Sequence, residues 1–313
     1  MKEKGAILNI KENVAQALSK ILFKVFVVPI LYFISLWPFP LLHLFSFFIY
    51  ILVYYVFGYR KKVVDNNLRN SFPEKTEAEI KQITKQFYLH FCDVIFETLK
   101  LLTISKKKFK KHFSYDSSAL QTFAYFENKQ QSIVGVMGHC GNWEWGAISY
   151  PVYFKNLITG VYHPLSNKNF DEFTLKLRSR FGGNITPMKQ LYKELLTLRQ
   201  KNTPTLIGLI ADQTPPPESA YWTNFLNQET PVFNGPEKIA RKFNYPVVYV
   251  GVKKIKRGYY NMSATIITET PCGLADGVIS ELHTKALEKN IISQPYIWLW
   301  SHRRWKHKKP VKS

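Results

Sequence analysis

From Ile21 to Phe57 the chain runs for about 37 residues almost without charge, with Lys24 and His43 the only ionisable interruptions besides tyrosines. No other stretch narrows the possible folds as much. Roughly 20 apolar residues suffice to cross a bilayer as a helix, and this stretch is considerably longer. Trp37-Pro38-Phe39-Pro40 sits near its middle, and proline ends or kinks a helix because it lacks a backbone donor. Two arrangements follow: a spanning helix followed by an interfacial one, or a hairpin with both ends on one side. Lys2, Lys4, Lys11 and Lys20 precede the stretch, and Arg60, Lys61 and Lys62 follow it. Positive residues prefer the cytoplasmic side, so two basic flanks favour the hairpin or a shallow insertion. A cleaved leader is not expected, since the stretch is too long and no small-residue cleavage site follows. A soluble core hairpin would be overfilled by so many Phe, Tyr, Ile and Val side chains. Residues 1–58 are therefore expected to anchor the chain, and 59–313 to form one working domain.

Downstream, strand patterns at Leu157–Tyr162, Thr205–Ala211, Pro246–Val252 and Tyr259–Ile267 alternate with helical patterns at Asn169–Arg180, Gln190–Gln200, Pro236–Phe243 and Val278–Ile291. Alternation of this kind predicts an α/β fold with a mainly parallel central sheet flanked by helices. A long amphipathic helix is expected over Lys75–Leu102, and the basic run Lys106–His112 reads as a solvated loop or a headgroup contact. Net charge is +21, from 43 Lys+Arg against 22 Asp+Glu. That surplus points to anionic partners such as phosphorylated lipids, an anionic leaflet, an acidic carrier protein or nucleic acid; a solvated lysine-rich surface would look the same. The three cysteines, Cys92, Cys140 and Cys272, are far apart and lack metal-ligand spacing. No metal or cofactor is expected, and Cys140 reads as a small filler of its turn.

The densest chemistry lies in Gly138-His139-Cys140-Gly141-Asn142-Trp143-Glu144-Trp145, between the apolar run Ser132–Met137 and a predicted helix from Trp145 to Phe154. A strand-to-helix turn exposes side chains on a rigid support. A five-residue step on one continuous helix rotates a side chain by about 140°. His139 and Glu144 therefore meet only if the histidine is still in the loop and the glutamate is in the first helical turn. The two glycines ease that turn, and Asn142 is a suitable N-cap. A carboxylate on one ring nitrogen of His139 would leave the other free to take a proton; a plain loop histidine bonded to nearby backbone is the alternative.

This turn resembles the His-x4-Asp/Glu block of glycerolipid-type acyltransferases, and more narrowly that of the bacterial lipid A biosynthesis (late) acyltransferases. Four further segments are similar to that family in the same order. They are Tyr59–Leu68 with Ser71-Phe72-Pro73-Glu74, then Tyr162–Lys168 with Arg178–Gly182, then Ala211-Asp212-Gln213 with Phe225-Leu226 and Gly235-Pro236, and last Trp298–Lys306. The resemblance implies His139 and Glu144 as the catalytic pair and Asn142 as part of the substrate-binding turn. The family usually has arginine where this chain has His163, and a neutral histidine cannot grip a phosphate as a guanidinium fork does. Arg178 and Arg180 remain for that task.

Asp212-Gln213 follows an apolar strand at its C-terminal end, where open α/β sheets bind ligands; a turn or helix-cap role for Asp212 fits equally. After Pro215-Pro216-Pro217, the aromatics Tyr221, Trp222, Phe225 and Phe233 either line an acyl-chain groove or pack the core. Gly235 starts a helix, and in related acyltransferases this region shapes the substrate pocket. In the basic tail, Trp298 and Trp300 suit a headgroup interface, and Arg303 and Arg304 suit bidentate phosphate contact.

The expectation is a membrane-anchored O-acyltransferase at the bacterial inner membrane with its site on the cytoplasmic side. The donor would be a fatty acyl thioester on acyl carrier protein, and the acceptor a hydroxyl of a phosphorylated glycolipid, the lipid A precursor. Alternatives are another acceptor lipid (an aminolipid or a mannosylated phosphoinositide) and a non-catalytic membrane-tethered polyanion binder. Nucleic acid is not expected as a partner, because a charge-only binder needs neither the His-Glu turn nor Asp212-Gln213.

Overall fold

The computed structural model describes residues 18–309 of the 313; the basic residues Lys2, Lys4 and Lys11 lie outside them. The apolar stretch forms two helices, α1 (Leu18–Leu36) and α2 (Phe39–Val56), each long and apolar enough to cross a membrane by length and composition. They part at Trp37, whose extended backbone is followed by Pro38 and Pro40 at the start of α2. This is the break that the prolines predict.

The remaining elements are α3 (Lys61–Ser71), α4 (Glu77–Lys100), α5 (Lys106–His112), β1 (Phe113–Tyr115), α6 (Ser117–Asn128), β2 (Ile133–Met137), α7 (Trp143–Tyr153), β3 (Leu157–Tyr162), α8 (Lys168–Arg178), β4 (Asn184–Pro187), α9 (Leu191–Gln200), β5 (Thr205–Ile210), β6 (Tyr221–Phe225), β7 (Gln228–Val232), α10 (Gly235–Phe243), β8 (Val247–Lys256), β9 (Tyr259–Thr268) and α11 (Val278–Ser293). The expected long helix is α4, opened by a capping box in which Thr76 and Glu79 satisfy each other's backbone donors. The basic run is not a loop: it is α5, capped by Ser105, with Phe109 and His112 buried. Phe109 packs on Phe113, Trp145 and Phe181, so one apolar residue among the lysines suffices to dock the turn.

Seven strands form one sheet in the order β1-β9-β8-β2-β5-β3-β4. The run from β8 through β2, β5 and β3 to β4 is parallel, β9 is antiparallel to β8, and β1 is parallel to β9. Every residue of β2 is buried, as expected for a central strand covered on both faces. One face carries Ile133, Met137, Leu206 and Val250 against Trp145, Ile148 and Phe123. The other carries Val134, Val136, Ile207 and Leu209 against Leu191, Leu195, Ile239 and Phe243. The sheet thus separates two apolar layers, and its central strands end side by side.

Helix α2 is tied to this body by buried polar groups. Ser46 Oγ donates to Asp93 (2.6 Å), which also receives Arg257 in two-pronged fashion. His43 Nε2 lies 3.0 Å from Glu97, and the same carboxylate accepts from Asn142 Nδ2 (3.0 Å) and Tyr260 OH (2.7 Å). A chain of hydrogen bonds therefore runs from the second apolar helix to the cap residue of α7.

Candidate functional site

The loop after β2 is shaped by two constraints. At Gly138, a Cβ would come within 2.5 Å of Leu287 Cδ1 and 3.1 Å of Asp212 Oδ2, so a side chain there would have to displace Leu287 and press on the Asp212 carboxylate. Gly141 has φ +58° and would meet Val252 Cγ1 at 2.8 Å. Asn142 then caps α7, its Oδ1 accepting from Trp145 N at 3.0 Å. His139 is thus held in the loop with Glu144 in the first helical turn, as the spacing requires.

The partner of His139 is nevertheless not Glu144. His139 Nδ1 is 2.6 Å from Asp212 Oδ1, and the His139 backbone N–H donates to Asp212 Oδ2 at 2.7 Å. Glu144 is engaged by Arg178, whose Nε and Nη2 donate to its two oxygens at 2.9 and 2.6 Å. Sheet order explains the exchange. Strands β2 and β5 are parallel neighbours with Met137 opposite Ile210, so two residues further on His139 lies beside Asp212. Glu144, in the first turn of α7, meets the last residue of α8 instead. The expected hydrogen bond between His139 and Glu144 is replaced by two pairs, His139–Asp212 and Glu144–Arg178.

Asp212 is 4% exposed, and a third donor, Trp298 Nε1, reaches its Oδ2 at 2.7 Å. Burial pushes this carboxyl upward, yet His139 and the donors around it pull its pKa down to about 2. Burial works against a charged imidazole in the same way. The adjoining Asp212 carboxylate outweighs it and holds the His139 pKa above the ordinary histidine value, with Glu144 adding to the rise and Arg178 opposing it. With Nδ1–H donated to Asp212, Nε2 carries the lone pair. The ring is only 15% exposed.

A largely apolar cavity of about 270 Å³ opens at these pairs. His139, Glu144, Arg178, Gln213 and His163 line its polar mouth, and Tyr115, Phe123 and Tyr150 line it away from the strand ends. Its floor is the sheet face where Gly135, Gly208 and Gly160 pair across β2, β5 and β3. Gly208 leaves open room there, with nothing closer than 3.8 Å to where a Cβ would sit, whereas Leu206 and Ile185 lean over Gly135 and Gly160.

The other expected site residues are scattered. Asn142 is fully buried as cap and donor to Glu97. Arg180 turns away from the mouth: its guanidinium donates to the Leu101 carbonyl and it lines a second cavity, of about 470 Å³, with Lys24 and Lys176 between α1 and α8. Gly235 begins α10 outside the main cavity. Arg303 is exposed, whereas Arg304 is 1% exposed and so does not face solvent or a headgroup. Trp298 and Trp300 are likewise buried, not interfacial, because the C-terminal segment bridges Cys140 and packs on Phe225 and Phe72. Of the aromatics after the prolines, Phe225 is buried in the core, and none of Tyr221, Trp222, Phe225 and Phe233 lines the main cavity. Cys140 is buried and its thiol is pushed well above its usual pKa by burial, in keeping with a filler. No cluster of metal-ligating side chains occurs among the described residues. The contact of Trp298 with Asp212 is one that the sequence reading did not anticipate; its only signal was the place of Trp298 in the C-terminal block.

The family model for bacterial lipid A biosynthesis acyltransferase matches residues 11–307. Comparison with curated proteins finds none that matches.

The pairing generates a direct expectation. In Asp212→Asn the imidazole stays buried but loses its carboxylate, so its pKa falls below the ordinary value of about 6.5. Proton NMR titration of labelled His139 reads this; wild type titrating above that value and the variant below it is the expected result, and identical midpoints contradict it.

Proposed function

Because the chain belongs to the bacterial lipid A biosynthesis acyltransferase family, we propose that it transfers a fatty acyl group from acyl carrier protein to a hydroxyl of a phosphorylated lipid A precursor, using His139 as general base. The observation that carries this reading is an imidazole whose Nδ1 is fixed by a buried carboxylate at the mouth of an apolar cavity. Asp212 fixes the tautomer and balances the imidazolium. Nε2 takes the proton of the acceptor hydroxyl as its oxygen attacks the thioester carbonyl. The tetrahedral oxyanion needs positive dipoles or charge nearby, and Arg178, oriented by Glu144, stands at the same mouth. Collapse of the intermediate expels the thiolate, which takes the proton back from His139. Glu144 acts in this scheme through Arg178, and Gln213 and His163 contribute polar contacts to the substrate headgroups.

The acyl chain occupies the cavity between the sheet and α7. Lys24, Lys176 and Arg180 around the second cavity supply positive charge for the phosphate of the acceptor, next to the first apolar helix. Residues 1–58 serve as the anchor, with α1 and α2 placed in the inner membrane and the site on its cytoplasmic side. The exposed apolar side chains of α1, among them Phe26, Phe33 and Leu36, support that placement, since so large a patch is costly in water.

Two experiments test this. Positioned general bases contribute about 10²- to 10⁴-fold, so His139→Ala is expected to lower transfer from labelled acyl carrier protein by that factor in membranes carrying the acceptor. Undiminished transfer ends the proposal. Second, a Cβ at Gly208 would meet Ile158 Cδ1 at 3.8 Å and Gly160 Cα at 3.9 Å, ordinary contacts, so Gly208→Ala folds and removes space from the cavity. Rates with acyl donors of graded length are expected to fall most for the longest chains; an equal change at every length contradicts the acyl-seat assignment.

A further inference from the structure

Arg304 has no place in the scheme above, yet it is one of the largest fully buried side chains of the protein. Its Nε and Nη1 find no partner among the described residues. Two other orphaned polar atoms, Tyr249 OH and His283 Nε2, are buried without a partner in the same neighbourhood. All three residues line one small cavity, and among the described residues the only carboxylate on its wall is Asp212. The cavity is about 10 Å³, the size for roughly one water molecule. The segment is firmly placed: Thr214 Oγ1, two residues past Asp212, donates to the Arg304 carbonyl at 2.8 Å, and the guanidinium lies 5.9 Å from the Phe225 ring centre.

A buried guanidinium is costly unless a counter-charge and hydrogen bonds compensate it. Asp212 therefore stands between two cationic groups, His139 at the mouth and Arg304 behind. Of the other groups around it, Glu237 acts on His283 but is met by Gly277, Ser280 and Arg241, and Lys306 near His302 is exposed; the remaining buried groups are held in their neutral forms. Burial raises the Tyr249 hydroxyl and the Cys140 thiol well above their usual ranges, and lowers His283 and His302 to about 4. At the mouth, Glu144 and Arg178 compensate each other. Among the described residues, Arg304 is thus the buried cation behind the pair, with Asp212 as the carboxylate that shares its cavity.

We propose that Arg304 is a positioning residue for His139: its charge, relayed to Asp212 through one buried water, makes the imidazole less basic than Asp212 alone would. A carboxylate with no cation behind it would hold the imidazole's pKa higher still and leave less of the ring in the form that accepts a proton. A cation behind the carboxylate draws on its negative charge and so limits the rise, enlarging the share of neutral, proton-accepting ring. Tyr249 and His283 complete the shell of the water. This inference rests on the base role assigned to His139.

The test is Arg304→Met, similar in length and uncharged, beside Arg304→Lys, which keeps the charge. Expected in Arg304→Met is a His139 NMR titration midpoint above that of wild type, with the acid limb of the transfer rate moved the same way and activity recovering at higher pH. Arg304→Lys is expected to keep the midpoint near wild type. An unchanged midpoint in Arg304→Met, or equal losses at every pH in both variants, overturns the proposal and leaves Arg304 a packing residue. Should Arg304→Met fail to fold, the wild-type crystal structure decides: one ordered water within hydrogen-bond distance of Arg304 Nε and Asp212 supports the relay, and a dry cavity or a halide there overturns it. The titration needs no substrate, so a wild-type protein that transfers nothing would sink the proposed function without deciding this point.

Discussion

A hydrogen bond of 2.6 Å between His139 Nδ1 and Asp212 Oδ1 joins the ends of two neighbouring parallel strands, and the site is organised around it. It requires β2 and β5 to be adjacent and in register, since one residue of slip would turn each end to the opposite face. It is favoured by Gly138, because a side chain there would push on Leu287 and on the Asp212 carboxylate itself. It requires Trp298, brought from the C-terminus to donate to the second carboxylate oxygen. The last segment of the chain therefore takes part in building a site begun by residues far earlier in the sequence.

The same contact shows where the sequence was readable and where it was not. Apolar periodicity located β3, β5, β8, β9 and α8 to α11 to within a few residues, because each buries a face regular enough to leave a pattern. It passed over β1 and β4, which have only three and four residues, too few to show alternation. Spacing along the chain correctly placed His139 in a loop and Glu144 in a first turn. It proposed their pairing because local proximity is all that spacing encodes. Asp212 is 73 residues away, and only the order of strands in the sheet, which no periodicity reveals, makes it a neighbour. Trp298 and Trp300 looked interfacial beside a basic tail for a similar reason: composition records amphipathic character, not which segment is folded under another.

Charge is arranged in layers around the carboxylate. Glu144 and Arg178 form a mutually compensated pair at the cavity mouth, so their effects on the imidazole partly cancel. Asp93 and Glu97 are buried between the apolar helices and the sheet, and each is met by several donors. Through Glu97 and Asn142 the second apolar helix is mechanically continuous with the cap of α7. A shift of that helix relative to the sheet would disturb the turn that carries His139. The cavity lies on the same sheet, where glycines paired across three strands adjoin flexible side chains such as Met137, Leu206 and Met262.

The central claim, that the imidazole held by Asp212 is the base, is tested most directly by comparing two numbers in the wild-type protein. One is the midpoint of the acid limb in the pH dependence of acyl transfer under single-turnover conditions; the other is the titration midpoint of His139 itself. The account predicts that they coincide, above the ordinary histidine value. A transfer rate that stays level through the titration of His139 would contradict it.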